Sequence, residues 1–574
     1  MSRAAVSIVP LTLVAALMPL ATVGTAQAQL AAANPAPRAG DILRDVPTEP
    51  NAMPALPNVA PLEAGAPVDK APAVSFVLRR FEVRGATAFT QQQLAMLAEP
   101  YVGKTMGEAD LSALIGALRK RYEDAGLGLA SIGFPTQDVS QGVLQVDVIE
   151  PKLARIQVPL GADAPVSEAR VRGLLNTFCL GTGRLLNTQS LERVMFALND
   201  SPGVQAKATL SPSGDEGTYN LAIQVTPRRS WDASLAVDNH GVSYAGRWRA
   251  TGLVRFNNPL KIGDNIDLQT IQSSGGGVKV GRIAYELPVG YTPARLSLAY
   301  AQVNYALRGE FAELQPYGEA QVAELNLSYP LVRARNRTVM ARLGYDEKYM
   351  RDHLTLPVLG EQVYSKHVRG AVAGLNMESR DGWLGGGFNG ASAQFHWGRL
   401  RLNSAEDQAD DDARGELGHA GAFGKVELQY SRLQAVARKV SLYASVSQQL
   451  ASRNLDPAEK MSLGGPRGVR AYPGSEGASD EATLFTSELR YWVNPNWTVF
   501  ALYDWAKGRR ERDTTPANFS SNDIQLRGSG LGVAITYPDI ATVKATVAWR
   551  GQRAVETEPG NDKVRVFVQA QHSF

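Results

Sequence analysis

The residues able to do chemistry lie in this chain without catalytic order. Its six histidines, His240, His353, His367, His396, His419 and His572, lack the spacing of metal ligands, and no Walker loop occurs. No nucleophile stands in a motif with a positioned base, so neither covalent catalysis nor a metal or other cofactor is expected. The run Gly528-Ser529-Gly530-Leu531-Gly532 imitates a phosphate cradle, but it lies in an alternating segment with no helix after it. Close packing of a strand is its reading. The acidic stretch Glu406, Asp407, Asp410, Asp411, Asp412 lacks calcium-loop spacing and reads as a solvated extracellular loop. Cys179 is the only cysteine. It cannot form an internal disulfide and is expected to be a small buried apolar residue. With 59 basic and 56 acidic residues the net charge is +3, which carries no footprint of nucleic-acid binding.

The elements around these residues point to an envelope protein. Arg3, an apolar run from Ala4 to about Val23, and Ala26-Gln27-Ala28 form a secretory signal peptide, with cleavage expected after Ala28 and a retained anchor as the alternative. No later stretch approaches the ~18 apolar residues of a membrane-spanning helix. Residues 29–74 are a Pro-rich linker, in which only Asp41 to Arg44 has room for a short helical turn that could plug a pore.

Residues 75–150 read as strand, helix, helix, strand, strand. A strand is expected from Val77 to Val83, then a helix capped by Thr90 that carries Leu94 and Leu97. A second helix puts Leu111, Leu114, Ile115, Leu118 and Tyr122 on one face and stops at Gly126. Residues 151–228 repeat the order: strand Leu153 to Val158, helices around Ala169 to Leu175 and Leu191 to Leu198, and two strands. Two successive units of one pattern form a tandem repeat.

From residue 229 to 574 the helical period gives way to two-residue alternation. Val440, Leu442, Ala444 and Val446 oppose Lys439, Ser441, Tyr443 and Ser445, and Val543, Ala545, Val547 and Trp549 oppose Thr542, Lys544, Thr546 and Arg550. About 16 such segments predict a closed antiparallel membrane barrel, the sheet form that leaves no unpaired backbone in lipid. Trp492, Trp497, Tyr503, Trp505 and Trp549 suit interfacial girdles. In the last segment Val564, Val566, Val568, Ala570, His572 and Phe574 share a face. A terminal Phe on an alternating strand resembles the signal read by the barrel assembly machinery.

This order of parts resembles a two-partner secretion transporter of the ShlB/FhaC/HecB type, in the outer-membrane assembly superfamily whose periplasmic units are polypeptide-transport-associated (POTRA) domains. Two motifs carry the resemblance locally. Gly464-Gly465-Pro466-Arg467-Gly468-Val469-Arg470-Ala471-Tyr472 is similar to the family's Val-Arg-Gly-Tyr motif at the tip of an extracellular loop folded into the barrel, with Ala471 where the family carries Gly. Leu502-Tyr503-Asp504-Trp505-Ala506 is similar to its Phe-x-Asp-x-Gly segment on the inner wall, with Leu502 and Ala506 departing from the pattern. The resemblance implies that Gly465, Val469, Arg470, Tyr472 and Asp504 form a gating contact. Alternation agrees, since Trp497, Val499, Ala501, Tyr503 and Trp505 share one face and Asp504 takes the other. A planar Arg–carboxylate pair is then possible; the alternative is a solvated Arg470 and an ordinary pore-lining Asp504.

The expected architecture is thus a 16-stranded outer-membrane barrel behind two periplasmic α+β POTRA domains. The resemblance implies capture of one large β-helical exoprotein, an adhesin, haemolysin or toxin, which threads through a monomeric barrel and folds outside. Rival readings are a barrel-inserting assembly factor, which usually carries more such units, and a passive porin, which leaves residues 76 to 227 unexplained. A TonB-dependent receptor would need a plug domain and coupling box that the sequence lacks.

Overall fold

The computed structural model describes residues 36–45, 75–356, 360–413, 418–514, 522–558 and 562–574. The signal-peptide segment and most of the linker lie outside them.

The first periplasmic unit contains β1 (Phe76–Val77), β2 (Arg80–Arg84), α2 (Gln91–Ala95), β3 (Thr105–Met106), α3 (Glu108–Asp124), β4 (Ser131–Gly133) and β5 (Val143–Ile149), following α1 (Ala39–Asp45) in the chain. The single strand expected from Val77 to Val83 is two. At Leu78 the chain turns its side chain fully into the core, and its pairing partner changes from β3 to β5. Alternation alone cannot register such a change. Thr90 caps α2 in a reciprocal box with Gln93. The helix stops before Leu97, which packs on the core from beyond its end. The five apolar positions of α3 are buried as their spacing predicts.

Where β5 ends, Glu150 is buried and accepts bonds from the Thr87 and Ala88 amides, both at 2.9 Å, and from the Tyr122 hydroxyl at 3.0 Å. Burial pushes this carboxyl up, but these donors together with the Thr87 hydroxyl outweigh it and hold Glu150 below its usual range. The Tyr122 phenol is pushed up by burial and by the adjacent Glu150 charge.

The second unit comprises β6 (Lys152–Gln157), α4 (Glu168–Thr177), α5 (Thr188–Asn199), β7 (Val204–Pro212) and β8 (Thr218–Pro227). Its sheet order β6-β8-β7 reproduces β2-β5-β4, with the last strand central and parallel to the first. Cys179 contradicts its expected burial: it is exposed, with φ 59°. It occupies the left-handed position after α4, where the Leu180 amide bonds back to the Leu175 carbonyl at 2.8 Å and Leu180 takes the buried place. The units join closely at Gly126, whose carbonyl accepts from the Thr188 amide at 2.8 Å.

Sixteen antiparallel strands, from β9 (Trp231–Asp238) to β24 (Val564–Ser573), close into a barrel by pairing β24 with β9. Leu442, Val446, Val543 and Trp549 face outward, while Ser441, Ser445 and Thr546 are buried inward. An outer surface carrying Leu343, Leu375, Phe395, Trp397 and Leu531 would be a severe liability in water and is the normal lining against lipid. Trp492 and Trp497 flank a periplasmic turn, and Trp248 and Trp397 lie exposed near the opposite rim.

Two expectations in the barrel are answered directly. The acidic stretch is a short helix, α6 (Ala405–Ala413), and not an irregular loop. Ser404 accepts from the Asp407 amide at 2.9 Å, a cap that the sequence Ser-x-x-Asp announces and that the charge count hid. The glycine run lies in β22 (Asp523–Tyr537), and a Cβ at Gly532 would fall 2.1 Å from the Phe500 ring. Close packing is its role.

The second unit is fixed to three periplasmic turns of the barrel. Asn258 donates to the Pro165 carbonyl at 2.6 Å, the Tyr291 ring lies against Gly173, and Arg333 forks onto Asp200 at 2.6 and 2.8 Å. Above this junction a polar cavity of about 720 Å³ opens into the lumen past Arg255, Arg282, Glu324, Gln394 and Gln429.

Candidate functional site

The loop of residues 452–480 joins β19 (Val440–Ala451) to β20 (Glu481–Trp492) and folds down into the lumen. Its tip is built from backbone. The Val469 amide bonds the Leu463 carbonyl at 2.8 Å and the Gly465 amide bonds the Tyr472 carbonyl at 3.0 Å. Gly465 has φ 89°, and a Cβ there would lie 2.8 Å from the Gly474 Cα, so glycine is required twice over. Val469 and Tyr472 are fully buried against Ala506, Leu526 and Ala548 of the wall. The Tyr472 hydroxyl donates to the Arg553 carbonyl at 3.1 Å.

Ala471 is accommodated from the other side. Its backbone is not left-handed, and a Cβ at Gly528 would come within 2.6 Å of its methyl. Glycine on the wall makes room for alanine on the loop.

The structure brings Arg470 and Asp504 together. Asp504 sits on β21 (Trp497–Arg509), with Tyr503 outward toward lipid and Asp504 fully buried inward. Arg470 Nε reaches Asp504 Oδ2 at 2.8 Å and Nη2 reaches Oδ1 at 2.7 Å, while the Arg470 amide adds a third bond at 3.1 Å. This is the planar two-point geometry that a lysine cannot reproduce.

A third residue belongs to the contact. Arg470 Nη1 also donates to Glu488 of β20, whose other oxygen is held by Arg490 at 2.7 Å, with Lys544 Nζ at 3.7 Å. The sequence reading missed Glu488. Its signal was present, because Leu489 and Tyr491 face lipid and strand alternation then turns Glu488 into the lumen. The three groups are not equivalent. Asp504 depends on Arg470, whereas Glu488 keeps two other cations.

Inside the barrel α1 packs Ala39, Ile42 and Leu43 on Val280, Val303, Val322 and Leu455. The Ala39 amide donates to Asp352 at 2.6 Å, and Arg44 Nη1 bonds Asp41 at 3.0 Å. Among the described residues no cluster of potential metal ligands occurs. Phe574 lies apart from this site, on the seam. Its amide bonds the Ala233 carbonyl of β9 at 2.9 Å, and its ring stands edge-on to His572.

Comparison with known proteins matches residues 217–535 to the family described as haemolysin secretion/activation protein ShlB/FhaC/HecB, and residues 76–151 to the ShlB-type POTRA domain. Heme/hemopexin transporter protein HuxB of Haemophilus influenzae is 23% identical over 463 residues, 79% of this chain and 80% of its own length. Outer membrane transporter CdiB of Escherichia coli is 25% identical over 501 residues, 83% of this chain and 82% of its own. The solved structure of CdiB from Escherichia coli superposes with a TM-score of 0.71 at 22% identity, covering 96% of this chain and 98% of that one, a likeness of fold.

Proposed function

The chain belongs to the haemolysin secretion/activation protein ShlB/FhaC/HecB family and is therefore a two-partner secretion transporter of the outer membrane, and from that premise we propose that its lumen is a conduit for one unfolded exoprotein, closed at rest by the in-folded loop and α1. Its POTRA domains lie in the periplasm. The observation that supports a gated conduit is the filled lumen. A passive porin needs a standing aqueous path, whereas here a helix and a loop occupy the interior with apolar and ionic contacts. The barrel-inserting alternative is disfavoured by the family match.

No covalent step enters this reading. Cargo is recognised in extended form by strand addition, where backbone bonds supply affinity with little demand on sequence. The available edges are unequal. Gln91 clamps β2 through the Val83 amide and Phe81 carbonyl, and Asn199 clamps β7 at both polar groups of Ala206. Beyond Ala206, the outward backbone groups of Ala208 and Leu210 on β7 remain as a platform at the mouth of the barrel. The polar vestibule then receives the chain, and folding of a β-helical cargo outside makes its return unfavourable. The barrel works as a monomer. Phe574 is its assembly signal, placed where the last strand closes on the first.

The gate is tested in planar bilayers with the full chain and a variant lacking residues 36–45. The variant is expected to conduct several-fold more and to close less often. Identical conductance in both would remove α1 from the gate.

A further inference from the structure

The long loop touches the wall at a second place, apart from the contact made by Arg470. Glu459 is only 4% exposed, and its carboxylate is gripped by two wall lysines. Lys348 of β15 (Arg337–Leu356) donates to Oε1, and Lys425 of β18 (Gly421–Ala437) lies 3.1 Å from Oε2. Lys425 also donates to the Glu459 carbonyl at 3.2 Å, as does Gln449 at 3.3 Å. Three residues earlier Asp456 receives Lys366 of β16 (Gly360–Asp381) at 2.6 Å.

The polarity is opposite at the two contacts. At the tip the loop brings a cation to wall anions; here it brings anions to wall cations. Two of the wall lysines also hold wall carboxylates, Lys425 with Glu427 at 2.8 Å and Lys348 with Asp346 at 3.4 Å, and the opposite signs of the loop's own charges at the two contacts favour one register in the lumen. Gly40 adds a second observation. A Cβ there would lie 2.9 Å from Asp456 Oδ1 and 3.1 Å from Lys366 Nζ, so α1 rests directly on this contact.

We propose that the loop is strapped at both places, with Asp456 and Glu459 docked on Lys366, Lys348 and Lys425, and that these three lysines are positioning residues for the gate. The inference rests on the gated-conduit reading for its consequence. For its geometry it rests on the contacts above. Each contact still tethers the loop when the other is broken, because Glu459 and Arg470 lie on one continuous stretch of chain. Leaving the lumen requires both to break, and the costs of the two breaks combine.

The test reads loop position without reading secretion. In a Cys179→Ser background, which removes the exposed native thiol, Ser475→Cys places a thiol at a buried site near the tip whose hydroxyl makes no bond. Cells expressing the full chain are treated from outside with a polyethylene-glycol maleimide, and labelling is followed by gel shift. Glu459→Gln keeps the side-chain volume and removes the charge; it is expected to label about tenfold faster, with the Arg470→Ala effect multiplying it in the combined variant. Lys348→Gln with Lys425→Gln, made from the wall side, is expected to label at least as fast as Glu459→Gln, because it leaves the Glu459 carboxylate beside Asp346 and Glu427 without either lysine between them. That pair also decides the matter if Glu459→Gln fails to give a heat-modifiable barrel. Labelling at the parental rate in the charge-neutralised variants, with Arg470→Ala alone fast, would overturn the second strap. Faster labelling with undiminished secretion would uphold the strap and remove the loop from the gate.

Discussion

Arg470→Ala is expected to reduce secretion to about a tenth or less, and to do so more severely than Asp504→Ala, although the two residues share one contact. Stranding a sheltered charge costs about 3–5 kcal/mol where burial is deep and less where luminal water reaches it. Losing Arg470 strands Asp504, which is fully buried with no other cation against it among the described residues, whereas losing Asp504 leaves Arg470 still bonded to Glu488. The double variant Arg470→Ala with Asp504→Ala should secrete at least as well as Arg470→Ala alone, because it removes the stranded carboxylate. Glu488→Gln should be the mildest of the single changes in the loop's hold, since the fork onto Asp504 survives it. Secretion of the partner exoprotein into the medium, with barrel assembly checked by heat-modifiability, reads all four. Losses that add in the double variant would show that Arg470 and Asp504 act separately.

Much of this contact could be read from sequence, because strand alternation fixes which way a residue points even when its partner is unknown. Tyr503 outward puts Asp504 inward, and the same rule applied to Leu489 and Tyr491 would have produced Glu488. The closed barrel was legible for the same reason, repeated over sixteen strands. What alternation cannot carry is the identity of a pairing partner, and so the break at Leu78 went unseen. Cys179 was misplaced because residue type was weighed and position was not; two residues past the end of α4, the chain takes a left-handed turn and directs the side chain to solvent. α1 was visible only as a possible turn. Seven residues make a marginal helix in water, and its stability comes from the lumen that surrounds it, on strands more than two hundred residues away. The second strap was illegible for that reason too, since Lys348, Lys366 and Lys425 resemble any other luminal charges until the loop is placed among them.

Deleting residues 76–227 should abolish secretion while leaving a membrane pore. The barrel closes on itself through β24 and β9 without strands from the periplasmic units, so it is expected to assemble without them. Their removal takes away the β7 platform together with the contacts of Asp200, Pro165 and Gly173 that hold it at the barrel's mouth. Without that platform an unfolded cargo meets the lumen only by diffusion, and the backbone bonds that commit it to entry are gone. Conductance in planar bilayers should persist, and cargo should accumulate in the periplasm. Normal secretion by the shortened chain would show that these units do not select cargo.

The central claim is that the exoprotein passes through the lumen, and two neighbouring residues on one strand test it. Gln429 of β18 lines the lumen, and Leu428 beside it faces lipid. A photo-crosslinking residue is placed at each position in turn in the full chain, and a cargo fused to a stably folded domain is stalled in passage. Passage through the lumen predicts a strong crosslink to cargo from position 429 and essentially none from position 428. Equal crosslinking at the two positions, or crosslinking from 428 alone, would contradict it.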